Sequence, residues 1–194
     1  LCYDTCSLFS ITPRDQGIAL GFGWQNENWR VDIGTTPQGF LISNIVGGLL
    51  YQNSLGDFSY DIEIERRALT NSVLSYAGLE DVNQNDIWGG VTSNGLTLGL
   101  YHDLGLEWGF WATLDYQYYE GQNVLDNDRK RAMTGAYYRF IQQPDFELSV
   151  GTNLLYWGYK HNLSEETYGH GGYYSPQKYM GVSVPVTVDG RFQD

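Results

Sequence analysis

Few residues of this sequence stand at a spacing that suits catalysis. His170 and Ser175 share the stretch GHGGYYSPQKY (169–179), and a serine near a histidine suggests hydrolysis. No G-x-S-x-G or equivalent frame surrounds the serine, so no enzyme is expected. DVNQND (81–86) starts like a calcium loop, with Asp81, Asn83 and Asn85 alternating. Asp86 stands where such a loop needs glycine, and Thr92 where it needs a bidentate glutamate. His102, His161 and His170 show no ligand spacing. Cys2 and Cys6 lack the two further ligands of a zinc site. In an oxidising compartment they would close a small disulfide loop, and elsewhere they would remain thiols. Neither a metal nor a cofactor is expected.

A second kind of chemistry is more widespread. In DFSYDIEIER (57–66), Phe58, Tyr60, Ile62 and Ile64 alternate with Asp57, Ser59, Asp61, Glu63 and Glu65. As a strand, this stretch has one apolar face and one acidic face. Other segments repeat the pattern, and their polar rows carry aromatics as well as acids. The polar set is Asp32, Asp61, Glu63, Glu65, Asp115, Glu147 and Asn153, with Tyr101, Trp111, Tyr119, Trp157 and Tyr159. Carboxylates hold water and accept hydrogen bonds, and aromatic faces stack on flat partners. The bland reading of each acid is a solvated wall residue, and of each aromatic, packing on a neighbour. Arg30, Arg66, Arg67 and Arg139 are placed to pair with acids across strands.

The elements that would position these groups are strands almost throughout. GIALGFGWQ, NWRVDIG, the run 40–51, the stretch just quoted, GLTLGLYHD, EWGFWATLDYQYYE, FELSVGTNLLYWGY and YMGVSVPVTV all alternate or run apolar. About nine or ten strands of mostly ~8–14 residues are expected, longer than the usual globular strand of ~5–6. Tight turns are expected at 93–95 and 142–145, and long polar loops at 78–86, 120–130 and 161–178. Such asymmetry between the two ends is the habit of outer-membrane barrels. The 194 residues form a single domain, with residues 1–15 as an N-terminal edge segment.

The formal net charge of −12, from 11 basic and 23 acidic residues, argues against nucleic acid as a partner. No run of 18 apolar residues is present, which excludes a transmembrane helix but not a membrane barrel. Trp24, Trp29, Tyr60, Trp108, Tyr116, Tyr118, Tyr138 and Tyr156 fall near the ends of the apolar rows. Aromatic girdles at the two water–lipid boundaries have this pattern. The pattern therefore favours an all-β, antiparallel transmembrane barrel over a soluble, carbohydrate-binding β-sandwich.

Five stretches, in order along the chain, carry a resemblance: DIGTTPQGF (32–40), GDFSYDIEIERRALTNSVLSYAG (56–78), WGGV (88–91), EGQNV (120–124) and GHGGYYSPQKYMGVSVPV (169–186). They resemble the C-terminal outer-membrane domain of cellulose synthase operon protein C. The resemblance implies a sixteen-stranded barrel that exports bacterial cellulose, a β-1,4-glucan, for the biofilm matrix. This sequence then looks like the first part of that barrel. The family's periplasmic tetratricopeptide repeats, which would precede it, have no counterpart here. Implied partners are the cellulose chain, outer-membrane lipid, that repeat region and the inner-membrane cellulose synthase complex. The polar set would line the channel, Trp111 and Trp157 would stack on sugar, and His170, Tyr173 and Tyr174 would form a loop or gate at the mouth. A general diffusion porin is the alternative use of the same wall.

Overall fold

The computed structural model describes residues 16–81 and 85–191. Cys2 and Cys6, Asn83, and the edge segment 1–15 lie outside the described residues. Among the described residues the fold is all-β and antiparallel, with eleven strands and one short helix. In chain order these are β1 (Gly21–Gln25), β2 (Trp29–Thr35), β3 (Ile45–Leu55), β4 (Phe58–Ala68), α1 (Val73–Ala77), β5 (Leu79–Asp81), β6 (Asp86–Asp103), β7 (Trp108–Gln122), β8 (Asn127–Gln143), β9 (Phe146–Tyr159), β10 (Tyr179–Ser183) and β11 (Val186–Gly190).

Nine of them follow one path, β1-β2-β3-β4-β6-β7-β8-β9-β10; β5 pairs with β6, and β11 pairs with β9. β10 and β11 continue each other. Tyr179 faces Trp157 and Val186 faces Val150, so the offset against β9 does not change across the break. Pro185 has no N–H for the ladder, yet its carbonyl still accepts the Gly151 N–H at 2.9 Å. The expected strand YMGVSVPVTV is thus one rail interrupted by its proline. Among the described residues, β1 and the β10–β11 rail are the two edges of the sheet.

The connections sort by end. One end has the turns 26–28, 56–57, 104–107 and 144–145; the other has 36–44, 69–85, 123–126 and 160–178. Several expectations need correction within that frame. Residues 93–95 form no turn, because Ser93 and Gly95 pair with Arg67 and Glu65 on one side and with Tyr119 and Gln117 on the other. The loop expected over 120–130 shrinks to 123–126, since the charged run Asp128–Arg131 pairs as strand with both β7 and β9. Within the loop expected over 78–86, Leu79–Asp81 fold back as β5 onto Asp86–Trp88 at the start of β6. β1 begins at Gly21 rather than at 17, and β3 at Ile45 rather than at 40.

Helix α1 was not expected. Ser72 caps it, accepting the Ser75 N–H at 3.0 Å while the Ser75 hydroxyl accepts the Ser72 N–H at 2.9 Å. Gly78, at φ 83°, ends it. Leu74 and Ala77 are buried, and with Ile42, Trp88, Val91, Leu163 and Tyr173 they make the packed core. That core lies at the long-loop end. Along the strands, Ile62, Ile64, Leu96, Leu98, Leu100, Leu114 and Leu154 stay exposed. A soluble sheet normally covers such a face with a second layer.

Candidate functional site

The polar rows meet in register and form a belt of charge contributed by five strands, β2, β4, β6, β7 and β8. Arg67 of β4 binds Asp32 of β2, with Nη2 at 2.7 Å from Oδ1, and reaches Glu65 on its own strand at 3.1 Å. Gln117 of β7 donates to Glu65 at 3.3 Å and to Asp115 at 2.9 Å. Asp115 also accepts from Thr97 of β6 at 3.2 Å and from Arg129 of β8 at 2.7 Å, and has Arg131 at 3.6 Å. Its side chain is 1% exposed. A buried carboxylate needs such partners, because isolated charge in low dielectric is costly.

Two further ion groups flank the belt. Arg30 binds Glu63 at 2.8 Å. Toward the short turns, Arg139 binds Asp103 at 2.7 Å and Glu147 at 3.4 Å, and Tyr137 donates to Asp103. The expected cross-strand pairing of Arg30, Arg67 and Arg139 is thus found. Arg66 also pairs across strands, with Glu120 of β7 at 2.5 Å, but it lies in the apolar row and its partner is outside the polar set. Arg129 and Arg131, which sequence reading missed, supply the strongest partners of Asp115. Their alternation with Lys130 was the available signal.

Bulky polar-face groups lie flat rather than standing upright. The Gln117 carboxamide covers Gly95, and the Trp111 indole covers Gly135 beside the Asn153 amide. A Cβ at either glycine would clash with the group above it. Asp61 and the Tyr101 hydroxyl meet over Gly99 in the same way. Side chains laid on the wall leave the space in front of it open.

Two recesses hold the tryptophans. Trp111, Tyr137, Arg139, Glu147 and Asn153 line one of ≈ 330 Å³ on the short-turn side. Trp157, Tyr159, Glu65, Gln117, Arg129 and Tyr174 line another of ≈ 350 Å³ toward the long loops. Tyr179 of β10 packs on Trp157 at 5.1 Å between ring centroids.

The 160–178 loop folds onto this face. Tyr173 stacks on Tyr119 at 5.4 Å and approaches Tyr159 at 6.0 Å. Arg129 lies 5.9 Å from the centres of the Tyr119 and Tyr159 rings. Asn127 donates to the Tyr173 hydroxyl at 3.1 Å, and burial pushes that hydroxyl up to about 12. Tyr119, counted among the channel-facing residues, is therefore buried beneath the loop at 4% exposure, while Tyr174 is exposed. His170 is half-buried, and its N–H donates to the Thr167 carbonyl at 2.8 Å.

The hydrolase pair is not assembled. The Ser175 hydroxyl is buried, accepts the Leu163 N–H at 2.7 Å and donates to the Tyr173 carbonyl at 3.1 Å. Its role in this geometry is to pin the loop. The Asp86 carboxylate accepts from Asn123 at 3.0 Å and from Tyr168 at 3.1 Å, tying three connections together at the long-loop end.

Residues 3–194 match the family model described as cellulose synthase operon protein C C-terminus. The chain is 43% identical over 190 residues to cellulose synthase operon protein C of Salmonella typhimurium, covering 95% of this chain and 16% of that protein. It is 41% identical over 190 residues to the protein of that name from Escherichia coli, again covering 95% and 16%. The Xanthomonas axonopodis protein of that name is 42% identical over 182 residues, covering 93% of the chain and 12% of the relative. The chain thus spans about an eighth to a sixth of the length of these relatives.

Proposed function

The chain belongs to the family of cellulose synthase operon protein C C-terminal domains, and from that premise we propose that it forms part of an outer-membrane β-barrel whose polar face guides cellulose out of the cell. The observation that carries the reading is the two-faced sheet. Its apolar face is an exposed aliphatic band bracketed by aromatics at both ends. Trp29, Tyr51 and Tyr60 are neighbours at the short-turn end, and Trp108, Tyr138 and Phe140 continue the row. Tyr116, Tyr118 and Tyr156 stand at the other boundary. From Trp108 to Tyr118, β7 runs ~34 Å at ~3.4 Å per residue, or ~26 Å along the normal at a tilt of ~40°. The apolar band of such barrels is ~25 Å tall.

In lipid the edges at β1 and the β10–β11 rail need strand partners. Strands outside the described residues would supply them and close the wall. The larger part of the relatives' length leaves room for the periplasmic repeat region that would connect the barrel to an inner-membrane synthase. A neutral glucan needs no catalyst to pass. It needs hydrogen-bonding groups and flat aromatic faces that bind weakly and repeatedly. The two tryptophan recesses, one of them lined by Glu65, Gln117 and Arg129 of the charged belt and the other nearer the short turns, suit that demand. Acids on the wall do not repel an uncharged chain, and they deter anions.

The test of the inside–outside assignment is cysteine labelling of the full-length protein in native membranes. Glu63→Cys reacts with a membrane-impermeant thiol reagent, and Ile62→Cys does not. Equal reactivity removes the barrel reading. The charged belt also suits a general diffusion porin. Soluble cello-oligosaccharides separate the two, since a glucan track binds them and a plain porin does not.

A further inference from the structure

All three lysines of the chain, Lys130, Lys160 and Lys178, gather in one place. Lys130 of β8 faces Tyr116 on one side and Gly158 on the other. Lys160 follows β9 by one residue, and its N–H continues the ladder to the Asp128 carbonyl at 2.9 Å. Lys178 precedes Tyr179, the partner of Trp157. Alternation places Lys160 with Tyr156 and Gly158, and Lys178 with Met180. These are residues of the apolar face, at the level where the 160–178 loop begins and ends.

The arginines are distributed differently. Each of Arg30, Arg66, Arg67, Arg129, Arg131 and Arg139 has a carboxylate within 3.6 Å, and only the exposed Arg191 has none among the described residues. None of the three lysines has an ion-pair partner among the described residues, and all three are exposed. Asp128 and Asp126 stand nearby on the Tyr118 side, and the Asp126 carboxylate is taken by the Tyr118 hydroxyl at 2.6 Å. Between the lysines, Gly158 lets the Gln177 carbonyl approach to 2.7 Å from where its Cβ would stand, and the Tyr156 hydroxyl lies 3.3 Å from the same point. Below this ground the face turns apolar, with exposed Leu154, Tyr156 and Met180. In a protein of net charge −12, three unpaired ammonium groups on one side of an apolar band make a local positive patch that an anionic headgroup fits.

We propose that Lys130, Lys160 and Lys178, with the Tyr156 hydroxyl, form a site for the phosphate groups of an anionic lipid whose acyl chains lie on Leu154, Tyr156 and Met180. The inference rests on the membrane reading above; barrels of this kind carry short periplasmic turns and longer extracellular loops, which sets the long-loop end at the outer leaflet. Lysine suits this role, because its flexible stem lies along apolar surface while the ammonium reaches the headgroup layer. The partner is a phosphorylated glycolipid or phospholipid rather than free phosphate, because the site continues directly into the apolar band.

The test uses the full-length protein, delipidated in mild detergent, with native mass spectrometry as the readout. Diphosphoryl lipid A, its dephosphorylated form and inorganic phosphate are titrated separately. Wild type retains diphosphoryl lipid A. The triple variant Lys130→Gln, Lys160→Gln, Lys178→Gln binds it about a hundredfold more weakly, at about fivefold per charge. The triple Lys→Arg variant binds it nearly as well as wild type. Equal binding by wild type and the Gln variant overturns the proposal, and so does equal retention of phosphorylated and dephosphorylated lipid. Displacement of the lipid by micromolar inorganic phosphate overturns the lipid assignment in favour of a soluble anion. Should the Gln variant not fold, the wild type's preference between the two lipid forms decides. The Glu63→Cys and Ile62→Cys labelling is run alongside. Unequal labelling with charge-independent lipid binding defeats this inference alone, whereas equal labelling defeats the membrane reading beneath it.

Discussion

Tyr173, in the loop 160–178, lies stacked on Tyr119 of β7 with ring centroids 5.4 Å apart and planes within 17°. This one contact joins the longest described connection to the polar wall. It carries the loop back over the sheet, where Val91, Leu163 and Val124 close around the pair. Truncating Tyr173 to alanine removes a side chain that is 2% exposed, at a cost of about 3 kcal/mol. The expected outcome is a released loop on an intact sheet: faster proteolysis between residues 160 and 178, and higher conductance of the complete protein in planar bilayers. An unchanged cleavage rate would mean that Ser175 and Asn127 hold the loop without the ring.

The Tyr173 hydroxyl also sets a pH dependence. Free of the fold it ionises near 10, and docked its value is about 12. The raised value means that docking favours the neutral phenol. Its stabilising effect is complete below pH 10 and is lost as pH rises through 12. Loop proteolysis therefore accelerates between pH 10 and 12 in the wild type. Tyr173→Phe keeps the ring and shows a flatter rise over the same window.

Asp115 and Glu63 look alike in sequence, as acids of the polar face, yet their substitutions should differ widely. Asp115 is enclosed by Arg129, Arg131, Gln117 and Thr97. Asp115→Ala leaves two half-buried guanidinium groups without their carboxylate and costs about 2–3 kcal/mol. Glu63 pairs with Arg30, whose side chain is 49% exposed, and Glu63→Ala costs less than about 1 kcal/mol. Urea or heat unfolding in detergent, followed by the mobility shift of the folded form, ranks the two.

That contrast marks how far the sequence reaches. Alternation alone separated Ile62 from Glu63 and Leu114 from Asp115, and the two faces follow from it. Of the two tight turns expected, 142–145 is found at Pro144–Asp145, whereas 93–95 lies within β6 and the turn at Gly56–Asp57 was not expected. What alternation does not supply is register. Arg129 and Arg131 become partners of Asp115 only because β7 and β8 pair with Asp115 opposite Arg131. The burial of Tyr119 depends on a loop more than forty residues away. Helix α1 had a local signal, serines at 72 and 75 followed by Gly78, but its apolar residues are too few for a helical period to stand out.

The tryptophans carry the functional test. Trp111 and Trp157 lie on the same face in separate recesses, and the register sets them four β9 positions apart, since Trp111 and Asn153 both pair with Gly135. Four residues at ~3.3 Å give about 13 Å along the strand, enough for successive contacts with an extended glucan. Each contact must be weak for the chain to advance, of the order of the ~1 kcal/mol of an aromatic stacking pair. Cello-oligosaccharides added to the complete protein in a planar bilayer should interrupt the current. Trp157→Ala and Trp111→Ala should each shorten the interruptions about fivefold and leave the open conductance nearly unchanged, while Ser59→Ala, on the same face but outside both recesses, changes neither. Interruptions that survive both substitutions would move the sugar contacts to other parts of the wall. Current indifferent to the sugar would favour the porin.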